Sequence, residues 1–341
     1  MLASHCFEVT EESQVGEVRR FVQNACLKWG DETFTGKAAI VVTEMGHNLV
    51  KHGGGGEIII REDPHAHPAA LEFLALDSGG GIENVAESLR DGFSTSGTAG
   101  SGLGSIKRLS DEFELYTLTD RGTAMWARLS PGRSTNGKSE AAFEYGGVCV
   151  CLEHEVVCGD SWDVLPTPQT LRIIVADGLG HGPFAQDASQ EAVLVFRKYP
   201  KLNPAELLEL THKALGKTRG AAASVVEIDL KARTATGAGV GNVVMRVVHV
   251  DSSKFLTSDN GTLGANMRRV LPTSVPWQST SLIVVHSDGV STGWNMEKYP
   301  GLASKHPSLI AGVLFRDFRR KRDDATVVVA RQRSVLYAPV E

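Results

Sequence analysis

Residues 172–182 read Arg-Ile-Ile-Val-Ala-Asp-Gly-Leu-Gly-His-Gly, and no other stretch constrains the fold as tightly. The apolar, β-branched run predicts a buried strand. Asp177 stands where that strand ends. Gly178, Gly180 and Gly182 then let the backbone turn sharply. An isolated Asp-Gly is most often a turn without chemistry, but here the pattern recurs. A second apolar run, 281–286, ends in Ser287-Asp288-Gly289. Asp160 follows a glycine in Cys158-Gly159-Asp160-Ser161, and Asp323 opens Asp323-Asp324-Ala325-Thr326 just before Val327-Val328-Val329. Hard divalent cations take oxygen ligands, and Mg²⁺ keeps several waters besides. Four aspartates at strand edges are what a binuclear Mg²⁺ or Mn²⁺ site requires. Two such ions can activate a water and neutralise a phosphoryl group under attack.

Gly-Asp-Ser, Asp-Gly-Leu-Gly-His-Gly, Ser-Asp-Gly and Asp-Asp-Ala-Thr, in this order, resemble the metal motifs of PPM-type serine/threonine phosphatases. The SpoIIE/RsbX branch is the most similar, and the resemblance spans roughly residues 143–331. It implies a β-sandwich flanked by helices, two Mn²⁺ or Mg²⁺ ions, and metal binding by Asp160, Asp177, Gly178, Asp288 and Asp323. This chain departs from better-known members in three places. Gly159 stands where they carry an acid, and Leu179 where they carry a histidine. The nearest histidine, His181, is either a general acid or a residue that packs or caps the next helix. The arginine that binds the substrate phosphate near the first motif has no clear counterpart.

The first 130 residues carry a different set of signals. Val15, Val18, Val22, Cys26 and Trp29 recur on one face of a helix that Ser13 can cap, and Thr35 can cap a second helix running to about residue 52. Within it Glu44 and Asn48 are four apart and share a face. Residues 57–61 and 71–76 read as strands, the latter ending in Asp77-Ser78-Gly79-Gly80-Gly81. Gly100, Gly102 and Gly104 precede a short helix, where exposed backbone N–H groups could bind phosphate oxygens. Residues 113–119 and 123–129 form a strand pair joined by Asp120-Arg121-Gly122. No Gly-Lys-Ser/Thr follows the glycines, so this is not a P-loop.

Glu44…Asn48, then Asp77-x-Gly-x-Gly, then the glycine lid, then Gly122-Thr123, resembles the GHKL ATP-binding fold. The similar branch is that of RsbT and other anti-sigma-factor kinases. That resemblance implies an α/β sandwich using ATP with Mg²⁺. Asn48 would hold Mg²⁺, and Glu44 would be the base that receives the substrate hydroxyl proton. Asp77 would accept from the adenine amino group, and Thr123 would back the adenine site. Gly79, Gly81, Gly100, Gly102 and Gly104 would shape the pocket and cover the phosphates.

The chain has 341 residues, enough for two domains. Residues 131–142, polar and nearly free of large apolar groups, read as a linker between domains at 1–130 and 143–341. The whole is expected to be α+β. Residues 1–132 carry 11 basic and 19 acidic side chains and the rest 24 and 21, so neither part suits nucleic acid. Arg319-Arg320-Lys321-Arg322 reads as the solvated end of a helix, or as a lure for a phosphorylated partner beside Asp323. No apolar run approaches a membrane span, and acids follow Met1 too closely for a signal peptide, so a cytoplasmic protein without membrane association is expected. Five cysteines without framework spacing fit a reducing compartment, with Cys149 and Cys151 as buried strand residues.

The combined expectation is a bacterial stress or sigma-factor regulator in which a kinase half and a phosphatase half act on a STAS-domain antagonist protein. The alternative is a phosphatase whose N-terminal half only binds nucleotide, regulating the other half or sequestering a partner.

Overall fold

The stripe Val15, Val18, Val22 and Cys26 is buried along one side of α1 (Glu12–Cys26). The computed structural model describes residues 4–63, 69–88, 102–132 and 141–333 of the chain. α1 begins one residue before Ser13. The Gln14 carboxamide reaches back to accept from the N–H groups of Thr10 and Glu11, which replaces the serine cap. α2 (Glu32–Asn48) likewise starts ahead of Thr35, because the Asp31 carboxylate accepts the Phe34 N–H at 2.9 Å. A π-turn, Leu49–Gly53, carries α2 into the glycine run. The two helices pack on one face of an antiparallel sheet. Its strands are β1 (Ser4–Val9), β2 (Gly56–Asp63), β3 (Ala70–Leu76), β4 (Glu112–Leu118) and β5 (Gly122–Leu129), in the order β1-β2-β3-β5-β4. Alternate residues Ile58, Ile60, Phe73, Ala75, Met125 and Ala127 face the helices and close the core. Between β3 and β4 lie α3 (Val85–Ser88) and α4 (Gly102–Leu109).

The chain divides into two compact units between Lys138 and Ser139. Residues 133–140 of the expected linker lie outside the described residues. The second unit runs β6 (Phe143–Val150), β7 (Asp160–Pro166), β8 (Thr170–Gly178), α5 (Pro183–Lys198), α6 (Pro204–Ala214), β9 (Ala221–Asp229) and β10 (Thr234–Val240). Then come β11 (Val244–Val248), β12 (Ser253–Leu256) and the short β13 (Ser258–Asp259), β14 (Gly261–Thr262) and β15 (Asn266–Met267). β16 (Thr273–Pro276), β17 (Leu282–His286), α7 (Pro307–Phe318) and β18 (Ala325–Gln332) complete it.

One sheet is ordered β13-β10-β9-β8-β7, with β16 also on β10; the other is β12-β11-β17-β18-β6. α5 and α6 cover the first sheet, burying Ala188, Ala192, Phe196, Leu207 and Leu208 against Ile174, Ala176, Val225 and Ala238. α7 lies on β6 and β18 of the second. Trp162, 1% exposed, sits over Gly147 of β6 and joins the two sheets. This is the β-sandwich flanked by helices that the resemblance implied.

Arg172, at the start of β8, is buried and works as a brace. Its guanidinium donates to the Pro200 and Leu202 carbonyls past the end of α5 and pairs with Glu227 at 3.3 Å. α7 can lie this close to β6 only because residue 146 has no side chain. A Cβ there would fall 2.0 Å from Ser308 Oγ and 2.5 Å from its backbone nitrogen. Gly146→Ala is therefore expected to lift α7 from the sheet and cost about 1–3 kcal/mol, read as a lower midpoint in urea unfolding of the full chain.

Candidate functional site

In the N-terminal unit α2 presents Glu44 and Asn48 half-buried on one face. Gly102, the first residue of α4, lies against both. The position its Cβ would take is 3.1 Å from Glu44 Oε2 and 3.6 Å from Asn48 Oδ1. Asn48 Nδ2 is buried without a hydrogen-bond partner among the described residues. A buried amide lacking a partner is costly unless a ligand completes it.

The Asp77 carboxylate, 7% exposed, accepts the N–H groups of Gly79 at 2.9 Å and Thr123 at 3.0 Å through Oδ1, and its own N–H donates to the Thr123 carbonyl. Thr123 is buried, with Oγ1 3.1 Å from Thr117 Oγ1. Thr117 Oγ1 also accepts the Ile82 N–H, which holds the turn containing Gly81. The structure thus groups Glu44, Asn48 and Gly102, and separately Asp77, Gly79 and Thr123. Gly102 and Gly104 belong to α4 itself rather than to a loop before it. Gly100 lies outside the described residues.

In the C-terminal unit β7 and β8 pair with Asp160 directly opposite Asp177. Asp160 is 3% exposed, and its Oδ2 accepts from Ser287 Oγ at 2.7 Å. Ser287 in turn accepts the Thr326 N–H at 3.0 Å, so β7, β17 and β18 are tied at one point. Burial pushes Asp160 up to about 7, against the opposing effect of its hydrogen bonds. Burial, reinforced by Asp160, Asp288, Asp323 and Asp324, pushes Asp177 up to about 9. Asp288 follows β17 and accepts from Asn242 Nδ2 at 2.6 Å. Asp323 is raised by its own desolvation and by Asp288. Gly178 ends β8 with its N–H on the Gly159 carbonyl at 3.1 Å.

Asp160, Asp177, Asp288 and Asp323 therefore share one neighbourhood of uncompensated negative charge. An all-oxygen set of this kind fits hard divalent cations. Among the described residues no three His, Cys, Asp or Glu side chains already converge on one point. Like charges hold carboxylates apart, and Mg²⁺ takes part of its shell from water.

His181 is 59% exposed, with Nδ1 bonded to Glu155 Oε1 beside this cluster. Asp324, which adjoins Asp323, has a different task. Its two oxygens accept the Leu152 N–H at 2.7 Å and the Gly159 N–H at 2.9 Å, pinning the loop before β7. That contact explains the glycine at 159: a Cβ there would fall 2.6 Å from Asp324 Oδ2 and 2.9 Å from Ala185 Cβ. The basic run is more than a solvated helix end, since the Arg320 N–H donates to the Gly289 carbonyl at 2.7 Å beside Asp288. Sequence reasoning singled out neither Ser287, Asn242, Glu155 nor Asp324. Only Ser287 and Asp324 carried a signal, as members of the quoted motifs.

The raised Asp177 carboxyl sets the sign of a pH effect. A group bound more tightly to its proton in the folded state stabilises at low pH and loses that contribution as pH rises. With chelator present, thermal stability is expected to fall between about pH 4 and about pH 9. The slope should flatten in Asp177→Asn. Asp324→Asn should instead lose stability through broken hydrogen bonds, because an amide cannot accept from both Leu152 and Gly159. It is expected to lose about 1–3 kcal/mol at neutral pH. Calorimetric scans across pH on the three proteins check both statements.

Residues 7–129 match the model of the histidine kinase-like ATPase domain, and residues 167–333 match that of stage II sporulation protein E (SpoIIE). The serine/threonine-protein kinase RsbT of Bacillus subtilis (strain 168) is 31% identical over 123 residues, 36% of this chain and 92% of RsbT. The phosphoserine phosphatase RsbX of the same organism is 27% identical over 141 residues, 41% of this chain and 70% of RsbX. A chain solved in work on the bacterial stressosome, a modular system adapted to control secondary messenger signalling, is 27% identical. It superposes with a TM-score of 0.52 over 55% of this chain and 99% of its own length. The chain belongs to the family of RsbT-like proteins with a histidine kinase-like ATPase domain, here joined to a PP2C-type serine/threonine phosphatase domain of the SpoIIE and RsbX kind.

Proposed function

We propose that this chain both adds and removes a phosphoryl group on a serine or threonine of a STAS-domain partner in a stress or sigma-factor switch. The observation that carries the proposal is the direct pairing of Asp160 with Asp177, in a chain that also sets Glu44 one helical turn from Asn48. The first arrangement suits metal-assisted removal of phosphate and the second suits phosphoryl transfer from ATP. RsbT and RsbX, named as kinase and phosphatase, support opposed activities on a shared kind of substrate.

In the N-terminal unit Asn48 would hold the Mg²⁺ that accompanies ATP. Its unpartnered Nδ2 remains available to the nucleotide. Glu44 would take the proton of the attacking hydroxyl, a task for a carboxylate beside the phosphate path. Asp77, oriented by the Gly79 and Thr123 N–H groups, would accept from the adenine amino group.

In the C-terminal unit Asp160, Asp177, Gly178, Asp288 and Asp323 would hold two Mn²⁺ or Mg²⁺ ions. Bound there, the ions supply an activated water and neutralise phosphoryl charge. Ser287 fixes the Asp160 carboxylate and Asn242 fixes that of Asp288. Glu155 holds His181 through Nδ1, which leaves Nε2 to pass a proton to the departing serine or threonine oxygen.

A second reading, in which the N-terminal unit only binds nucleotide, is disfavoured by Glu44. A binding module needs no carboxylate beside its metal-holding amide. Glu44→Gln keeps size and removes basicity. It is expected to bind ATP nearly as the wild type does and to transfer phosphate about a hundred- to ten-thousand-fold more slowly. Asn48→Ala should weaken ATP binding itself in Mg²⁺. Titration calorimetry beside radiolabel transfer to a STAS-domain protein separates the two. Equal transfer by Glu44→Gln would remove Glu44 as the base, and a wild type that binds ATP but labels no partner would favour the second reading. In the same preparations Asp177→Asn and Asp288→Asn should abolish Mn²⁺-dependent release of phosphate.

A further inference from the structure

A phosphorylated side chain approaching the second unit meets Asp160, Asp177, Asp288, Asp323 and Asp324, and Glu155 beyond them. Besides the two ions, a side-chain cation at this mouth would hold the outer phosphate oxygens against so many acids, and the sequence carries no arginine near the first aspartate motif. The turn between α6 and β9 brings one in from elsewhere. Asp177 pairs with Ala222 and Gly178 with Ala221, and the Leu179 N–H then donates to the Gly220 carbonyl at 3.0 Å. This ladder fixes the backbone of Arg219 beside the glycine turn that follows Asp177.

The Arg219 side chain is exposed, and one terminal nitrogen lies 3.2 Å from the Cβ position at Gly180. Its guanidinium carbon is 5.0 Å from the centroid of the Phe184 ring. Arg219 makes no ion pair among the described residues, whereas Arg172, Arg197, Arg316 and Arg331 in this unit each hold a carboxylate. Stacking on a ring orients the guanidinium plane yet consumes none of its N–H donors. A planar fork held at one edge of a negative cluster suits bidentate contact with phosphate oxygens. Phe184, 63% exposed, and Leu179, 45% exposed, supply apolar surface on the same rim.

We infer that Arg219, carried on the Phe184 ring, is the residue that binds the phosphoryl oxygens of the phosphoprotein substrate in the C-terminal unit. This rests on the phosphatase reading above. Arg320 is the rival, on the side of Asp288, with its backbone tied to Gly289.

The test uses the full chain with Mn²⁺, a phosphoserine peptide as substrate and inorganic phosphate as competing product. A charge-assisted hydrogen-bonded contact of this kind is worth about 10- to 100-fold in binding. Arg219→Gln is therefore expected to raise the phosphate inhibition constant and the peptide KM together by that factor, with the larger part of the loss in KM rather than kcat. The Mn²⁺ concentration for half activation should stay where it is. Arg219→Lys should recover only part of the loss, since an ammonium lacks the fork. Apart from activity, inorganic phosphate should raise the thermal midpoint of the Mn²⁺-loaded wild type and fail to do so in Arg219→Gln. An unchanged phosphate inhibition constant, a parallel shift in Mn²⁺ requirement, or a rise confined to Arg320→Gln would each overturn the assignment. A wild type without Mn²⁺-dependent activity would instead overturn the phosphatase reading on which it stands.

Discussion

The C-terminal unit is built around an unfavourable contact. Two aspartates face each other across an antiparallel ladder, one of them almost fully buried, with three more carboxylates close enough to raise their proton affinity. Burying ionised carboxylates without cations is costly, and a fold keeps such an arrangement only if the surrounding structure over-determines it. The surroundings do this with backbone. β8 is fixed by β9 from Thr170 to Gly178 and on its other side by β7 from Leu171 to Asp177. Ser287 and Thr326 tie the ends of β17 and β18 to Asp160. The two sheets therefore meet at the acids, and the layers of helix outside them keep the meeting rigid.

Within the cluster the carboxylates divide into those that position and those that remain available. Asp324 spends both oxygens on backbone N–H groups of the loop before β7. Its burial raises its proton affinity while those bonds lower it, as expected of a structural carboxylate. Asp323 beside it is half-exposed, with its oxygen committed only to the neighbouring Asp324 N–H. Adjacent aspartates in the turn before β18 thus serve opposite ends, one tied to the loop before β7 and the other left beside Asp288. The same contact excludes an acid at position 159, so the departure from the better-known phosphatase pattern there has a steric cause.

How much of this was legible in the sequence depends on how local each signal was. The apolar runs that became β8, β17 and β18 announced themselves by composition, and the aspartates at their ends came with them. The helices start ahead of Ser13 and Thr35 because Gln14 satisfies the Thr10 and Glu11 N–H groups and Asp31 that of Phe34. β7 was not read as a strand. Its seven residues include Asp163, a charge in a fully buried place, which pairs with Arg197 on α5. Gly102 and Gly104 read as loop, yet they form the first turn of α4, where a side chain at 102 would crowd Glu44. Arg219 left no trace, being one basic residue in a turn. Its significance comes from a ladder that links positions some forty residues apart.

The two units solve opposite electrostatic problems. ATP brings its own phosphates, so a site for it needs few fixed charges. On the proposed reading Glu44 and Asn48 would supply one carboxylate and one neutral amide, whose Nδ2 is buried without a partner among the described residues. A phosphorylated side chain brings less charge and must be attacked by water, so the second site concentrates carboxylates for cations instead. The first site would hold its carboxylates, Glu44 and Asp77, in separate groups, while the second carries a standing repulsion that cations would relieve. It follows that divalent metal should stabilise the C-terminal unit far more than the N-terminal unit when no nucleotide is present. If the acids hold metal as proposed, the phosphatase half would be the part whose stability, and not only its activity, follows the supply of Mn²⁺ or Mg²⁺.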